Sequence, residues 1–311
     1  MKLAISILLS AATLVAAPAI AGTYAKTKYP IVLAHGMAGF DKIGPVDYWY
    51  GIPQDLASEG AKVHVSQVAS FQSSEVRGEM FLAQVKNIMA ITGAKKVNLI
   101  GHSHGNQSVR YVAGIIPSKV ASVTSVGGVT KGSPIADMIL EVTQIEKIGG
   151  PLTTVLTSVV NGFGQLIGLA AGEKLSQDSL AGLNSLTTAG AADFNRRFPA
   201  GVPTSACGEG AYTVNGVKYY SWGGTSQLTN AFDISDGAMA LTSLAFVGKA
   251  DSQNDGFVGR CSNHLGKVLR DNYKMNHLDE VNQVLGLVSI FETNPKAVFR
   301  QHANRLKLAG M

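Results

Sequence analysis

Charge is scarce in this chain. Asp, Glu, Lys and Arg make up 15% of its 311 residues, and the formal net charge is only +5. No run of five or more Lys or Arg occurs. A balance this weak and dispersed excludes nucleic acid as a partner, which needs a concentrated basic footprint. Cysteine is nearly absent. Cys207 and Cys261 stand alone, with no C-x-x-C spacing, so a zinc ribbon and a dithiol redox site are excluded. Long hydrophobic runs are missing too. The stretch 155–171 is apolar but broken by Thr, Ser, Asn, Gly and Gln, which reads as amphipathic and not as a span of roughly 20 apolar residues. Neither a Pro-rich linker nor a fixed-period repeat interrupts the chain, so one domain over 22–311 is the simplest organisation. What is present is apolar: hydrophobic residues reach 46%, which excludes intrinsic disorder. The 35 glycines lack a three-residue period, which excludes collagen.

The first 21 residues have a different character. Met1-Lys2 is a short positive start, 3–16 is almost continuously apolar, and Ala19-Ile20-Ala21 is an A-x-A cleavage site. These are the parts of a secretory signal peptide, with cleavage expected after Ala21. Losing Lys2 leaves 25 basic against 21 acidic residues, a formal +4. In an exported chain an even pair of cysteines reads as one disulfide. Cys207 and Cys261 are 54 positions apart. Closing a loop of that size stabilises by about 4 kcal/mol in the chain-entropy model, as an upper guide.

Strand-like and helix-like stretches then alternate. Strands are expected at 29–33, 63–68, 96–101 and 120–129. Helices are expected at 46–58, at 73–92 behind a Ser73 cap, and at 105–116. This alternation means βαβ units and a mostly parallel sheet, with sites along the carboxyl edge of the strands. From 131 to about 190 the chain turns Gly-, Ser-, Thr- and Leu-rich, with amphipathic helical patterns at 135–148 and 163–171. It reads as a helical insertion over the sheet. Further on, 218–222 and 243–247 are strand-like, and 267–272 and 295–308 helix-like.

Gly101-His102-Ser103-His104-Gly105 is G-x-S-x-G, placed between an expected strand and an expected helix. That context makes it a nucleophile elbow. The turn is so tight that the flanking residues must lack a Cβ, and the serine is held strained with its Oγ exposed. A serine needs a base, and the base needs an acid to orient it. The chain order in such folds is Ser, acid, His. His264, His277 and His302 all follow. His302 sits among Arg300 and Arg305, a poor place to take up a proton. His277 lies in a loop context, which suits a base. For the acid, Asp255 lies in the Asn254-Asp255-Gly256 turn, with Asp251, Asp233 and Asp236 as competitors. An oxyanion hole needs two backbone N–H groups. His104, which follows the serine, offers one, and Met37 in His35-Gly36-Met37-Ala38-Gly39 offers the other.

These motifs have a family likeness. The stretches YPIVLAHGMAGFD (29–41), VNLIGHSHG (97–105), PTSACGEGAY (203–212), NDG (254–256) and LRDNYKMNHLDEVNQV (269–284) resemble the secreted triacylglycerol lipases of Pseudomonas and Burkholderia. The resemblance runs through nearly the whole mature chain. It implies an α/β-hydrolase fold, with a mostly parallel central sheet flanked by helices and a helical lid at about 131–190. It implies Ser103 as nucleophile, Asp255 as acid and His277 as base, Met37 and His104 as oxyanion donors, and a Cys207–Cys261 bridge. It also implies a structural calcium ion held by the carboxylates of Asp233 and Asp279 and the carbonyls of Gln283 and Leu287. Calcium takes oxygen ligands of this kind. Carbonyls free to bind an ion require irregular backbone around 283–287. Two departures from the family pattern stand out. Asn106 follows Gly105 where a small residue is usual. The 248–253 loop is slightly longer, which keeps Asp236 in play against Asp233.

By the same resemblance, the partners are a triacylglycerol–water interface, a membrane-anchored foldase specific to the lipase in the periplasm, and the type II secretion machinery. The expected location is extracellular. A carboxylesterase acting on short soluble esters is the nearest alternative. A non-catalytic lipid-binding protein would need a broken triad.

Overall fold

A seven-stranded sheet organises the computed structural model, which describes residues 22–37, 39, 42, 43, 46–144 and 178–311. Segment 1–21 and the expected helix at 163–171 lie outside the described residues.

Strand β1 (Ile31–Ala34) is followed by a small antiparallel ladder of β2 (Lys42–Ile43) and β3 (Val46–Asp47), then α1 (Ile52–Ser58) and β4 (Val63–Val65). Next come α2 (Ser74–Thr92), β5 (Val97–His102), α3 (Gly105–Ile115) and β6 (Val120–Val126). The insertion contributes α4 (Pro134–Gln144), α5 (Ser179–Leu186) and α6 (Thr188–Arg197). The chain closes with β7 (Thr213–Val214), β8 (Val217–Gly224), α7 (Asp236–Thr242), β9 (Lys267–Tyr273) and α8 (Pro295–Leu308).

The parallel order is β4-β1-β5-β6-β8-β9, with β7 antiparallel to the start of β8. Strands β1, β5 and β6 are buried along their whole length, as strands covered on both faces of a parallel sheet are, and buried polar side chains among them are paired, Ser122 Oγ donating to Asn98 Oδ1 at 2.8 Å. Alternate residues feed opposite layers. Val32 and Ala34 join Phe81 and Val85 of α2 and Val109 and Val112 of α3. Ile31 and Leu33 join Ile52 and Leu56 of α1 and Val298 and Phe299 of α8. Each such side chain contributes about 1.5–3 kcal/mol through burial. The register sets Ala34, Gly101 and Ser125 level across β1, β5 and β6, so the carboxyl ends of three strands share one edge.

Helix α2 starts where its cap demands: Ser73 accepts from the Val76 amide at 3.3 Å. It ends at Gly93 in the left-handed region. Other boundaries differ from the sequence expectation. Over 46–58 only Ile52–Ser58 is helical, because Gly51 at φ 70° breaks the chain direction and Pro53 opens the helix. Residues 267–272 form strand β9 and not a helix, while 243–247 form a 3-10 turn at Ser243–Phe246 and not a strand. The 120–129 strand stops at Val126, where Gly127 turns to φ 48°. Of the 135–148 pattern, α4 covers the part up to Gln144, and 145–148 lie outside the described residues.

A third apolar cluster lies where the insertion meets the later turns. Ile135, Ile139, Leu183 and Leu186 pack with Phe246 and Val258, and Met37 and Phe257 border them. Cys207 and Cys261 are joined, with Cα atoms 4.8 Å apart. Lys131 Nζ donates to the Ala206 carbonyl at 2.8 Å, tying the root of the insertion to the same loop. Among the described residues, no helix is long and apolar enough to cross a membrane.

Candidate active site

Ser103 follows the last residue of β5 and lies just before α3. Its φ is 56°, left-handed backbone in a non-glycine residue, which is strain held by its surroundings. The Ser103 amide donates to the Val126 carbonyl of β6 at 3.0 Å. A Cβ on Gly101 would collide with the Gly105 carbonyl, and a Cβ on Gly105 with the Ala34 carbonyl. The two glycines therefore let the turn close on itself and on β1. Asn106 is accommodated by donating to Thr130 Oγ1 at 3.0 Å.

Asp255 and His277 meet across a turn-rich region. His277 Nδ1 donates to Asp255 Oδ2 at 2.8 Å, and the His277 amide donates to the Asp255 carbonyl at 2.8 Å. Asp255 Oδ1 accepts from the amides of Phe257 and Val258 at 2.8 and 2.7 Å. The carboxylate is thus fixed by three donors, and the imidazole has one orientation. The His277 ring lies 4.4 Å, centroid to centroid, from the ring of His102, the residue before Ser103. Phe257 covers it from another side at 5.3 Å. No hydrogen bond joins Ser103 Oγ to His277 among the described residues. Such bonds are often loose in resting enzymes and tighten with substrate.

The competing residues have other occupations. Asp251 caps the amides of Cys261 and Ser262. His264 Nε2 pairs with Asp271 at 3.0 Å. His302 is buried against Thr124 Oγ1 at 2.8 Å, and burial, with Arg305 nearby, holds it well below the usual histidine range.

Gly36 passes so close to Ser103 that a Cβ there would strike the serine side chain. Arg77, fully buried, donates to the carbonyls of His35 at 2.6 Å, Gly36 at 3.1 Å and Ser70 at 3.1 Å, and also to that of Ala69. This clamp fixes the loop just before Met37. Burial, and then the Arg77 charge, push His35 down to about 3. The His104 ring is anchored at 2.9 Å on Ser74 Oγ at the start of α2. Among the described residues, neither the Met37 amide nor the His104 amide donates to another residue.

Sequence reasoning missed Glu280, three residues after His277. It is fully buried, accepts from the Gly224 amide at 2.5 Å, and sets its other oxygen 3.4 Å from His102 Nε2 and 3.9 Å from His277 Nδ1. Burial, and then the Asp255 charge, hold its carboxyl well above the usual range. The signal was the H-L-D-E spacing, which reads equally well as a solvated turn. Arg77 was missed because helix α2 gives no hint that its charge points inward.

Next to the base, two carboxylates stand close to the same loops. Asp233 Oδ1 accepts from Ser235, and its Oδ2 is buried with no hydrogen-bond partner. Asp279 Oδ2 accepts from the Asn276 amide at 3.2 Å, and its Oδ1 is likewise buried without one. Burial pushes Asp279 up to about 7. Asp236 differs: its oxygens accept from Thr229, Asn230 and Asn276. Asn282 at φ 61° and Leu285 at φ 57° make 282–287 irregular. The carbonyls of Gln283 and Leu287 accept no hydrogen bond from a described residue.

A strained serine at a strand–helix elbow, with a histidine held by an aspartate packed against the residue before it, defines a serine hydrolase class of site. The family model described as alpha/beta hydrolase fold matches residues 29–281. A triacylglycerol lipase of Vibrio cholerae serotype O1 is 55% identical over 289 residues, covering 93% of this chain and 90% of that one. Those of Burkholderia plantarii and Pseudomonas fragi are 44% and 40% identical, covering 96% and 92% of this chain and 92% and 98% of their own lengths. Among solved structures, the mature Bacillus licheniformis lipase BlEst2 shares the fold at a TM-score of 0.62 and 17% identity, covering 90% of this chain and 93% of that one. The chain belongs to the α/β-hydrolase family, in the bacterial group that these triacylglycerol lipases represent.

Proposed function

We propose that this protein is an exported triacylglycerol lipase that hydrolyses long-chain esters at a lipid–water interface. The observation that carries the reading is the His277–Asp255 pair at 2.8 Å lying against the residue that precedes the strained Ser103. His277 takes the Ser103 proton as Oγ attacks the ester carbonyl. Asp255 holds the ring and offsets the positive charge that forms on it. The amides of Met37 and His104 receive the oxyanion. His277 then returns the proton to the departing glycerol oxygen, leaving an acyl-serine. Water repeats the sequence and frees the fatty acid. The apolar cluster of Ile135, Ile139, Leu183, Leu186 and Phe246 borders Met37 and Phe257. It supports an acyl chain as the group bound, with the 131–190 insertion as a lid.

The orphaned oxygens of Asp233 and Asp279, with the Gln283 and Leu287 carbonyls, fit a calcium ion, and Asp233 suits it better than Asp236. Bound there, the ion supplies structural cross-linking of the loop carrying His277 and no Lewis-acid chemistry. The 1–21 segment supports export through the periplasm. With the family likeness it also supports a dedicated foldase and type II secretion.

Turnover on a triolein emulsion, with Ser103→Ala as control, tests the reading. The wild type is expected to hydrolyse the emulsion, and S103A to adsorb without turnover. Hydrolysis of dissolved tributyrin with none of triolein would instead assign a short-chain carboxylesterase. A wild type that a fluorophosphonate fails to label at Ser103 would indicate a non-catalytic binder.

A further inference from the structure

Tyr48 and His102 are buried polar side chains for which the mechanism above has no role. They form one continuous hydrogen-bonded line. The Gly36 amide lies 3.0 Å from Tyr48 Oη, Tyr48 Oη lies 2.5 Å from His102 Nδ1, and His102 Nε2 lies 2.9 Å from the His277 carbonyl. The polarity follows from chemistry. An amide N–H only donates, so Tyr48 Oη accepts from Gly36. A carbonyl only accepts, so His102 carries its proton on Nε2 and donates to His277. Nδ1 is then bare and accepts the Tyr48 hydroxyl proton. Burial, and then the nearby His277, keep the His102 ring neutral, so a single tautomer satisfies the whole line.

The line's ends are informative. Gly36 directly precedes Met37, the oxyanion donor. His102 directly precedes Ser103. The far carbonyl belongs to the base itself. Two side chains thus tie together the oxyanion loop after β1, the elbow after β5 and the base loop after β9, three segments far apart in sequence. Transition-state stabilisation depends on these distances to within a fraction of an ångström.

We propose that Tyr48 and His102 are positioning residues that hold the oxyanion loop, nucleophile and base in mutual register for ester hydrolysis. This rests on the hydrolase reading given above. Tyr48→Phe keeps the ring packing and removes the hydroxyl. His102→Leu removes both ring nitrogens, whereas His102→Gln keeps one acceptor and one donor. The probes are p-nitrophenyl butyrate below its solubility limit and an alkyl boronic acid as tetrahedral mimic, with active sites counted by fluorophosphonate titration.

The expected result for Y48F is a fall in kcat of up to about 100-fold per titrated site, the size of a misplacement of about 1 Å and at or below the about 10²–10³-fold for losing an oxyanion donor outright. KM should stay within about twofold, and boronate affinity should fall in parallel. H102L should lose as much, and H102Q should retain at least about ten times the activity of H102L. Because the two residues act as one line, the Y48F/H102L double variant should be no slower than the worse single variant. A stability role alone would lower Tm while leaving kcat per titrated site unchanged. That result overturns the proposal, as does strict multiplicativity of the two single losses. If the wild type itself does not turn over the ester, the hydrolase reading fails instead.

Discussion

Ser103 and the partners proposed for it, Asp255 and His277, are positioned by two different kinds of structure. Ser103 stands on regular elements: β5 before it, α3 after it, and β1 and β6 on either side of β5. Its geometry is set by backbone pairing and by glycines that let backbones touch. Asp255 and His277 lie in the turn-rich segments on either side of β9, between the 3-10 turn at Ser243–Phe246 and the one at Asp279–Val281. There, side chains do what the sheet does elsewhere. Asp255 gathers the amides of Phe257 and Val258, and Asp251 those of Cys261 and Ser262. Arg270 grips Glu292, and the Cys207–Cys261 bridge fastens the whole. The frame of Ser103 is backbone pairing, whereas that of Asp255 and His277 is a set of separate side-chain links.

The sharpest break is chemical. Ser103→Ala should cut hydrolysis by at least about 10⁴-fold, as triad removals do, while the melting temperature stays nearly unchanged, because the half-buried hydroxyl makes no hydrogen bond to a described residue. A stable variant that keeps measurable turnover per molecule would remove Ser103 from the reaction. Next in size comes the bridge. Cys207→Ala with Cys261→Ala should cost up to about 4 kcal/mol in urea unfolding. If the two regions differ as described, hydrogen exchange should quicken around 251–283 well before it does in β5 and β6.

Chelation is expected to cost less. An ion binding only the folded form at about 100 times its Kd contributes about 2.7 kcal/mol. EDTA should lower Tm and activity together in the wild type, and should change neither in Asp279→Asn beyond what the substitution itself does. An identical EDTA response in D279N would place the ion elsewhere.

Acid probes the scaffold instead. His35, His102, His104 and His302 are all buried and held neutral by desolvation first. Their folded pKa values lie below the unfolded value of about 6.5, so the unfolded chain binds the extra protons. Stability is therefore complete above about pH 6.5 and falls as pH drops, by up to about 1.4 kcal/mol per pH unit for each histidine. For His35 that decline runs to about 3. His302→Gln should flatten the slope between pH 6 and 4 by one histidine's share, measured by denaturant titration at several pH values. The smallest effect should come from the surface. Arg196→Ala, which breaks an exposed i,i+3 pair with Asp193, should change stability by less than about 0.5 kcal/mol.

The same division explains what could be read in the sequence. Helix α2 was legible from its cap and period, and the elbow from two glycines around a serine, because local chemistry decides both. Strand β9 was not. K-V-L-R-D-N-Y lies beyond β8 at the sheet edge, largely half-exposed, so neither alternation nor an apolar run marks it, and its strand character comes from pairing with β8. The run S-L-A-F-V misled in the opposite direction, being too short for its period to separate a strand from a turn of helix. At the site, residue types at given spacings suggested Asp255 and His277 among rivals. The family resemblance chose between them, and in the structure the rivals are otherwise engaged: Asp251 is spent on capping and His264 on Asp271. The inward reach of Arg77 and the line through Tyr48 and His102 depend on contacts between distant segments, which no local pattern encodes.

The Ser103 amide is consumed by Val126, so it has no part in receiving negative charge. Of the two amides proposed for that role, that of His104 belongs to the segment leaving β5 and that of Met37 to the segment leaving β1. These segments become neighbours only when the two strands zip together. On the mechanism proposed above, a chain whose β1 has not yet docked on β5 possesses the serine but no receptacle for the charge its attack would create. Enzymatic competence, on that proposed mechanism, arrives only with the closing of the sheet.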